Sequence, residues 1–362
     1  MEKIKAFFKN LSLKDIIFLT TILLSFCVFC GLGIYCSVLT SSLEDQQAAD
    51  RWSEEGTYAQ ASAFFAGDVL VDEFQIKNFE HQLEAALKEA AVTNENIMGR
   101  LYVDAYSAQG KITVVSEQDK LEAQAIGIGG DFFLFHPLEL ISGYYYSEDN
   151  FMQDRILIDE IIAWQLYGSS DIVGKPVLIG EKVFFVAGVY KQSDNADTEK
   201  VMSGSPLMFM PYQGYEMLGN TPYFNCYEAC LPNPVTGLAE KMVAEALSVK
   251  SPKSEAVENS ERYSIKNRFE ILKNFGMRSV KDNAVVYPYW ENAARITEDK
   301  SALVLVFQLL GLVVPIGTTF TYIIIGYKKR KVFFTWFVNA TKRIFNILIT
   351  KTKNRKAGIA DE

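Results

Sequence analysis

The residues best suited to chemistry sit in a few short stretches, and in each the spacing argues against a reaction. Residues 168–176 read Gly-Ser-Ser-Asp-Ile-Val-Gly-Lys-Pro, the outline of a phosphate-binding loop. Such a loop needs four residues between its glycines and a hydroxyl after the lysine to hold magnesium. Here five residues intervene and Pro176 follows Lys175, so the stretch is read as a hairpin turn. Gly127, Gly129 and Gly130 do not complete a dinucleotide fingerprint. The two histidines, His81 and His136, have no Cys or His near them at metal-ligand spacing. Glu148 with Asp149, and Asp194 with Asp197, lack the spacing of a loop that encloses calcium; solvated turn acids are the plainer reading. No Gly-x-Ser-x-Gly marks an activated serine. If residues 223–231 form a strand, Cys226 and Cys230 stand roughly 13 Å apart, beyond the reach of a disulfide. These spacings predict no catalytic residue, no cofactor and no metal.

The elements that carry these residues follow from how apolarity and charge are distributed. Residues 1–15 carry a net +2 and residues 327–362 a net +8, which leaves −18 for residues 16–326 within a total of −8. An acidic middle cannot gain affinity from counterion release, which argues against nucleic-acid binding by it. Residues 16–39 contain no charge and reach about 36 Å as a helix, enough for a bilayer core. Residues 301–326 are likewise uncharged. Lys9 and Lys14 precede the first run, and Lys328, Lys329, Arg330 and Lys331 follow the second. The positive-inside rule then puts both termini in the cytoplasm and the intervening residues outside, a two-pass protein of the plasma membrane. The first run lacks a clear small-x-small cleavage site and is read as a retained helix.

Between the spans the patterns predict several elements. Residues 40–66 are read as a helical stalk, because Ala48, Trp52, Ala59 and Ala63 recur at spacings of four and seven. The outside domain is placed at 67–287. It begins with a strand–helix–strand unit (68–74, 76–91, 98–108) and continues through a strand-rich stretch at 111–191. That stretch is divided into strands at 112–115, 123–128, 155–158, 176–179 and 183–190, with a helix at 160–167 and turns at Gly110, Gly143, Gly174 and Gly180. After a polar loop at 192–204 comes a second mixed unit: strand 207–210, helix 212–218, strand 223–231, helix 235–249. Residues 251–260 are read as an exposed loop, 262–273 as a helix, and 288–300 as a second stalk leading into the second span.

Residues 131–191 resemble the periplasmic core domain of MacB-like and FtsX-like ABC transporter permeases. The resemblance rests on Asp131-Phe132-Phe133, Leu140 to Gly143, Ile158-Asp159-Glu160 leading into Ala163, Asp171-Ile172-Val173-Gly174-Lys175, Val186-Ala187-Gly188-Val189-Tyr190 and Pro211-Tyr212. It implies an α+β fold of two lobes between two membrane helices: a mixed α/β lobe, called porter, and a mostly-β insertion at about 111–191, called sabre. Such permeases have four membrane helices, and this sequence has one long apolar run after the domain. The resemblance therefore implies partners: a separate cytoplasmic ABC ATPase, and a further permease subunit or a homo-oligomer. In that reading the chain is a non-catalytic subunit that passes motion between the membrane helices and the outside domain. A free-standing membrane-anchored binding or sensing protein is the alternative.

Two further features concern the membrane. Gly311, Pro315 and Gly317 interrupt the second span; ordinary tolerance in membrane helices, a hinge and a packing face all fit. In the basic tail, residues 327–362, polar positions recur every three or four residues from 332 to 350, with Lys342 and Arg343 among them. Trp336, Phe337 and Phe345 lie on the opposite side, the pattern of an amphipathic helix lying on membrane lipid. A third span would put Lys342 and Arg343 near its centre at about 2.5 to 3.5 kcal/mol each.

Overall fold

The computed structural model describes residues 12–53, 56–89, 100–116, 119–146, 152–219, 223–250, 252–278, 285–328 and 341. The chain divides into two units, residues 36–303 and the terminal segments 1–35 with 304–362.

In the terminal unit, α1 (Leu13–Ser41) has a mean hydropathy of 2.4 over its most apolar stretch, and the long carboxy-terminal helix, α11 (Tyr289–Lys328), reaches 2.1. Phe18 stacks on Tyr322 at 4.1 Å, and Gln308 Nε2 donates to the Phe29 carbonyl at 3.4 Å. Many other large side chains on both helices, such as Leu24, Phe26, Phe307 and Phe320, are exposed, the pattern of helices whose solvent is apolar.

The other unit is built on a ten-stranded mixed sheet. Its strands are β1 (Tyr58–Phe65), β2 (Val103–Val115), β3 (Lys120–Gly130), β4 (Glu139–Gly143), β5 (Arg155–Asp159), β6 (Pro176–Ile179), β7 (Lys182–Lys191), β8 (Leu207–Pro211), β9 (Cys226–Pro232) and β10 (Ser254–Glu258). The order is β10-β1-β9-β2-β3-β8-β5-β7-β4, with β6 bridging β2 and β7. Among the described residues, β3–β8 and β5–β7 are the parallel pairs. One face buries α3 (Glu73–Glu89), α5 (Glu160–Tyr167), α7 (Tyr212–Glu216) and α8 (Leu238–Ala246) through residues such as Ile76, Leu83, Ile162, Tyr215 and Met242. The opposite face is covered by α2 (Ala48–Trp52), α4 (Phe132–Phe135) and the start of α11 through Ala49, Phe132, Phe135 and Trp290. The described residues also include three short helices, α6 (Ala196–Met202), α9 (Ile265–Lys273) and α10 (Phe275–Arg278).

Local chemistry sets several boundaries. Asp159 caps α5 by accepting from the Ile162 N–H at 2.8 Å, and Gly168 closes that helix in the left-handed region. Asn195 caps α6 and Ser264 caps α9 in the same way. Gly143 is required by both conformation and space: its φ is +88°, and an added Cβ would press on the Ala187 carbonyl and Gly188 Cα of β7. Gly143→Ala is expected to destabilise the domain by about 1 to 3 kcal/mol. Thermal unfolding should show a clear drop for it and a smaller one for Gly204→Ala, whose φ is also positive but whose Cβ would meet open space.

Several sequence expectations are corrected. The stalk at 40–66 is not a continuous helix: α1 ends at Ser41, a 3-10 turn (Glu44–Gln46) and α2 follow, and β1 is a fully buried strand. The alanines of β1 recur every second residue as well as every fourth, and pairing with β9 and β10 decides in favour of the strand. Residues 68–72 form turn and coil, and the strand expected there is absent. Gly110 makes no turn; β2 runs straight through it, and an added Cβ there would strike the Tyr215 hydroxyl. The polar loop at 192–204 contains α6, and the exposed loop at 251–260 contains β10. Residues 168–176 connect α5 to β6, a helix-to-strand turn and not a hairpin. The stretch 288–300 is helical, but it is buried along one side at Trp290, Glu291, Ala294, Thr297 and Glu298 and does not stand free.

Candidate functional site

The tightest concentration of buried polar chemistry lies where the residues that follow α1 meet the first turns of α11 on the sheet. Strand alternation sends Gln60 and Ser62 of β1 and Glu228 of β9 to the same face. Ser62 Oγ donates to Glu228 Oε1 at 2.7 Å, and Asn259 Nδ2 donates to Ser62 Oγ at 2.7 Å. Gln60 reaches the segment after α1: its Nε2 donates to the Asp45 carbonyl at 2.8 Å, and its Oε1 accepts from the Ala48 N–H at 3.0 Å.

His136, which ends α4, is fully buried between two acids. Its Nδ1 is 2.7 Å from Asp45 Oδ1 and its Nε2 is 2.5 Å from Glu228 Oε2. Burial by itself disfavours the charged ring, but Glu228 and Asp45 outweigh it and hold the pKa up at about 9. The imidazolium lies 4.1 Å from the Trp290 ring of α11 and 4.5 Å from Phe132, a desolvated cation against aromatic faces. One side chain thus touches the segment after α1, the sheet and the start of α11.

Arg262, between β10 and α9, forms a second junction. Its guanidinium grips Glu291 with two bonds, Nη1 to Oε2 at 2.6 Å and Nη2 to Oε1 at 2.7 Å, while Nε donates to Glu298. Nη1 also donates to Gln46 Oε1 and to Asn259 Oδ1, each at 3.3 Å. Glu291 is fully buried; burial would raise its carboxyl, but Arg262 and Arg295 hold it below the ordinary value. Arg295 extends the array to Glu255 at 3.1 Å and lies over the Tyr287 ring. Asp197 of α6 accepts from Thr297 Oγ1 at 2.9 Å and pairs with Lys300. Each buried charge here has an opposite charge and directed hydrogen bonds, the condition under which buried ions are tolerated.

This array holds acids, bases and one histidine, and the hydroxyl of Ser62 is committed to Glu228 and not to His136. Cys226 and Cys230 are buried on β9, both free, with thiols pushed up by burial. Among the described residues no group of three or more His, Cys, Asp and Glu could hold a metal ion. What the arrangement can do is hold two chain segments to one sheet through charge.

The residues singled out from sequence fall elsewhere. Gly311, Pro315 and Gly317 lie within α11, which continues through Pro315, and an added Cβ at either glycine meets nothing within 4 Å. The tail residues Trp336, Phe337, Lys342, Arg343 and Phe345, and the acids Glu148 and Asp149, lie outside the described residues. His81 is exposed on α3, and Asp194 pairs with Lys191. Sequence reasoning passed over His136 as a lone histidine and did not single out Arg262, Glu228 or Gln60. The available signal was a polar residue inside an otherwise apolar strand, as with Glu228 between Ala229 and Tyr227.

The MacB-like periplasmic core domain family profile matches residues 19–247. The macrolide export ATP-binding/permease protein MacB of Neisseria gonorrhoeae is 27% identical over 142 residues, covering 38% of this chain and 22% of that protein. Its counterpart in Chromobacterium violaceum is 28% identical over 133 residues, covering 35% and 20%. The match thus spans about a fifth of the length of these relatives. Among solved structures, the periplasmic region of MacB from Actinobacillus actinomycetemcomitans aligns with a TM-score of 0.42 at 15% identity, covering 59% of this chain and 92% of that one. The extracellular domain of the ABC-type transporter YknZ from Gram-positive bacteria aligns at 0.39 and 14%, covering 55% and 99%. With its two apolar helices and mixed α/β domain, the chain is a membrane protein with an extracytoplasmic domain, and it belongs to the MacB-like periplasmic core domain family of ABC transporter permeases.

Proposed function

We propose that the chain is a non-catalytic, permease-like subunit of an ABC transporter assembly, which passes motion between its membrane helices and its extracytoplasmic domain. The observation that carries this reading is the buried charged array. Just after α1, Asp45 is bonded to His136 and Gln46 to Arg262; in the first turns of α11, Glu291 and Glu298 are bonded to Arg262, and His136 is tied to β9 through Glu228 and packs on Trp290. Directed buried bonds resist shear, so a displacement entering by either helix is delivered to β1 and β9 and not absorbed by a flexible linker.

In this reading both termini are cytoplasmic and the chain crosses twice. Nucleotide hydrolysis belongs to a separate cytoplasmic ATPase, and a further permease subunit or a second copy of this chain completes the membrane part. Gly311, Pro315 and Gly317 then supply a point of bending in α11, since Pro315 leaves the Gly311 carbonyl without its helical donor. The basic tail bearing Trp336, Phe337, Lys342, Arg343 and Phe345 rests on membrane lipid.

Affinity purification of the tagged full chain from gently solubilised membranes tests the proposal. An ABC ATPase recovered in stoichiometric amount, with a second permease or a second copy, is the expected result. A chain that purifies alone under several mild detergents would favour the free-standing sensor instead.

A further inference from the structure

A cavity of about 820 Å³ opens along α3 beside the ends of β2 and β3, within the range of small-ligand sites, about 300 to 1,000 Å³. Its charged lining is nearly self-matched. Lys77 pairs with Glu80, Lys88 with Glu84, and Arg100 with Asp131. The acid left over is Asp104 of β2, which is 8% exposed and forms no salt bridge among the described residues. Among the described residues its carboxylate accepts from Tyr227 Oη at 2.9 Å.

The rest of the lining is aromatic. Tyr102 and Tyr106 stand near Asp104, and Phe133, Tyr145 and Tyr146 line another part, with Phe133 stacked on Tyr145 at 4.5 Å. Tyr146 is 7% exposed, and its hydroxyl has no hydrogen-bond partner among the described residues. A leftover carboxylate, an unmatched hydroxyl and several π faces favour one chemistry: a compact cation with N–H donors on an apolar stem. An anion would meet an excess of acids. A metal ion would find no group of three ligands among the described residues.

We propose that this cleft binds an organic ammonium group, with Asp104 as its counter-ion and the surrounding tyrosine and phenylalanine rings holding its stem. The titration of Asp104 agrees with that role. Burial, with Glu80 of α3 and Asp131 after β3 adding to it, raises the carboxyl to about 7, against the opposing effects of Tyr227 on β9 and Arg100 ahead of β2. Cation binding therefore draws out a proton near neutral pH, and the site is loaded more readily as pH rises. This inference stands apart from the transporter reading, because its test needs no partner protein.

The test is calorimetric titration of the full chain in detergent with 2-phenylethylamine, and separately with a Gly-Lys-Gly peptide capped at both ends, at pH 6 and pH 8. Both amines stay protonated at either pH. Saturable binding about tenfold tighter at pH 8 is expected, as the ionised fraction of a carboxyl with pKa about 7 rises from about 0.1 to 0.9. Asp104→Asn keeps an acceptor for Tyr227 and removes the charge; it should weaken binding at pH 8 at least tenfold and abolish the pH dependence. Binding of the small amine alone assigns a free amine as ligand, and binding of the peptide assigns a lysine side chain. Failure of both to saturate, equal affinity at the two pH values, or undiminished binding in Asp104→Asn would overturn the proposal. Should that variant fail to fold, the pH comparison on the unaltered chain decides.

Discussion

Replacing Arg262 with leucine is expected to lower the thermal unfolding midpoint of the detergent-solubilised chain by roughly 6 to 20 °C. The estimate takes about 3 to 5 kcal/mol for breaking a buried ion pair and about 2 to 4 °C per kcal/mol for a domain of this size. The loss is large because Arg262 serves two acids at once. Without it Glu298 loses a charged donor, and Glu291, fully buried, keeps only Arg295 among the described residues. Arg262→Lys should recover only part of the loss, since an ammonium cannot reproduce the forked contact with Glu291. Adding Glu291→Leu and Glu298→Leu to Arg262→Leu should restore much of the stability, because burying no charge is cheaper than burying an unpaired one. If that triple variant unfolds normally but no longer supports the activity of a copurified ATPase, the charges serve coupling and not merely folding. Arg262→Leu unfolding at the wild-type temperature would remove the basis for assigning the array a structural role.

The second large effect is a pH dependence carried by His136. Its folded pKa of about 9 stands above the unfolded value of about 6.5. A raised pKa means that the folded state holds its proton more tightly. The associated stability is fully present below about pH 6.5 and is lost as pH rises through about 9. The 2.5-unit gap corresponds to about 3 kcal/mol. Asp104 and Asp159, raised to about 7 and about 6, also lose their contributions as pH rises, but already through about 7 and about 6. In the interval from about pH 7.5 to 9.5 the raised thiols of Cys226 and Cys230 add a fall of the same sign, so the His136 contribution is the difference between the wild type and a variant without the ring. Denaturant unfolding across it should show stability falling steeply in the wild type and much less in His136→Gln. Parallel slopes for the two proteins would show that the ring is neutral in the folded state.

The elements most legible in the sequence were those governed by near neighbours. The helix at 160–167 was read to its last residue because Asp159 caps it and Gly168 ends it, and the strands at 176–179 and 183–190 are punctuated by Gly174 and Gly180. The resemblance over residues 131–191 pointed to the family in which the chain belongs. β1 and β10 were missed for a shared reason. An alanine-rich run and an acidic, serine-rich run carry little strand propensity, and each becomes a strand only because a neighbour supplies a ladder of hydrogen bonds.

The charged array was illegible for a related reason. Asp45, Gln60, His136, Glu228, Arg262 and Glu291 are spread over some 250 residues, and apart from Glu291 with Arg295 four residues on, and Arg262 with Asn259, they meet partners far away along the chain. By itself the sequence determined the two apolar runs, the acidic middle between basic ends and the absence of a recognisable catalytic motif, since composition and short-range spacing are local properties. Only the tertiary structure decided that the stretch after the first run enters a strand, that the helix leading into the second run is buried, and that His136 and Arg262 bind both to one sheet. A buried ion pair exists only once the fold has removed water from both partners, and that is a property of packing, not of spacing.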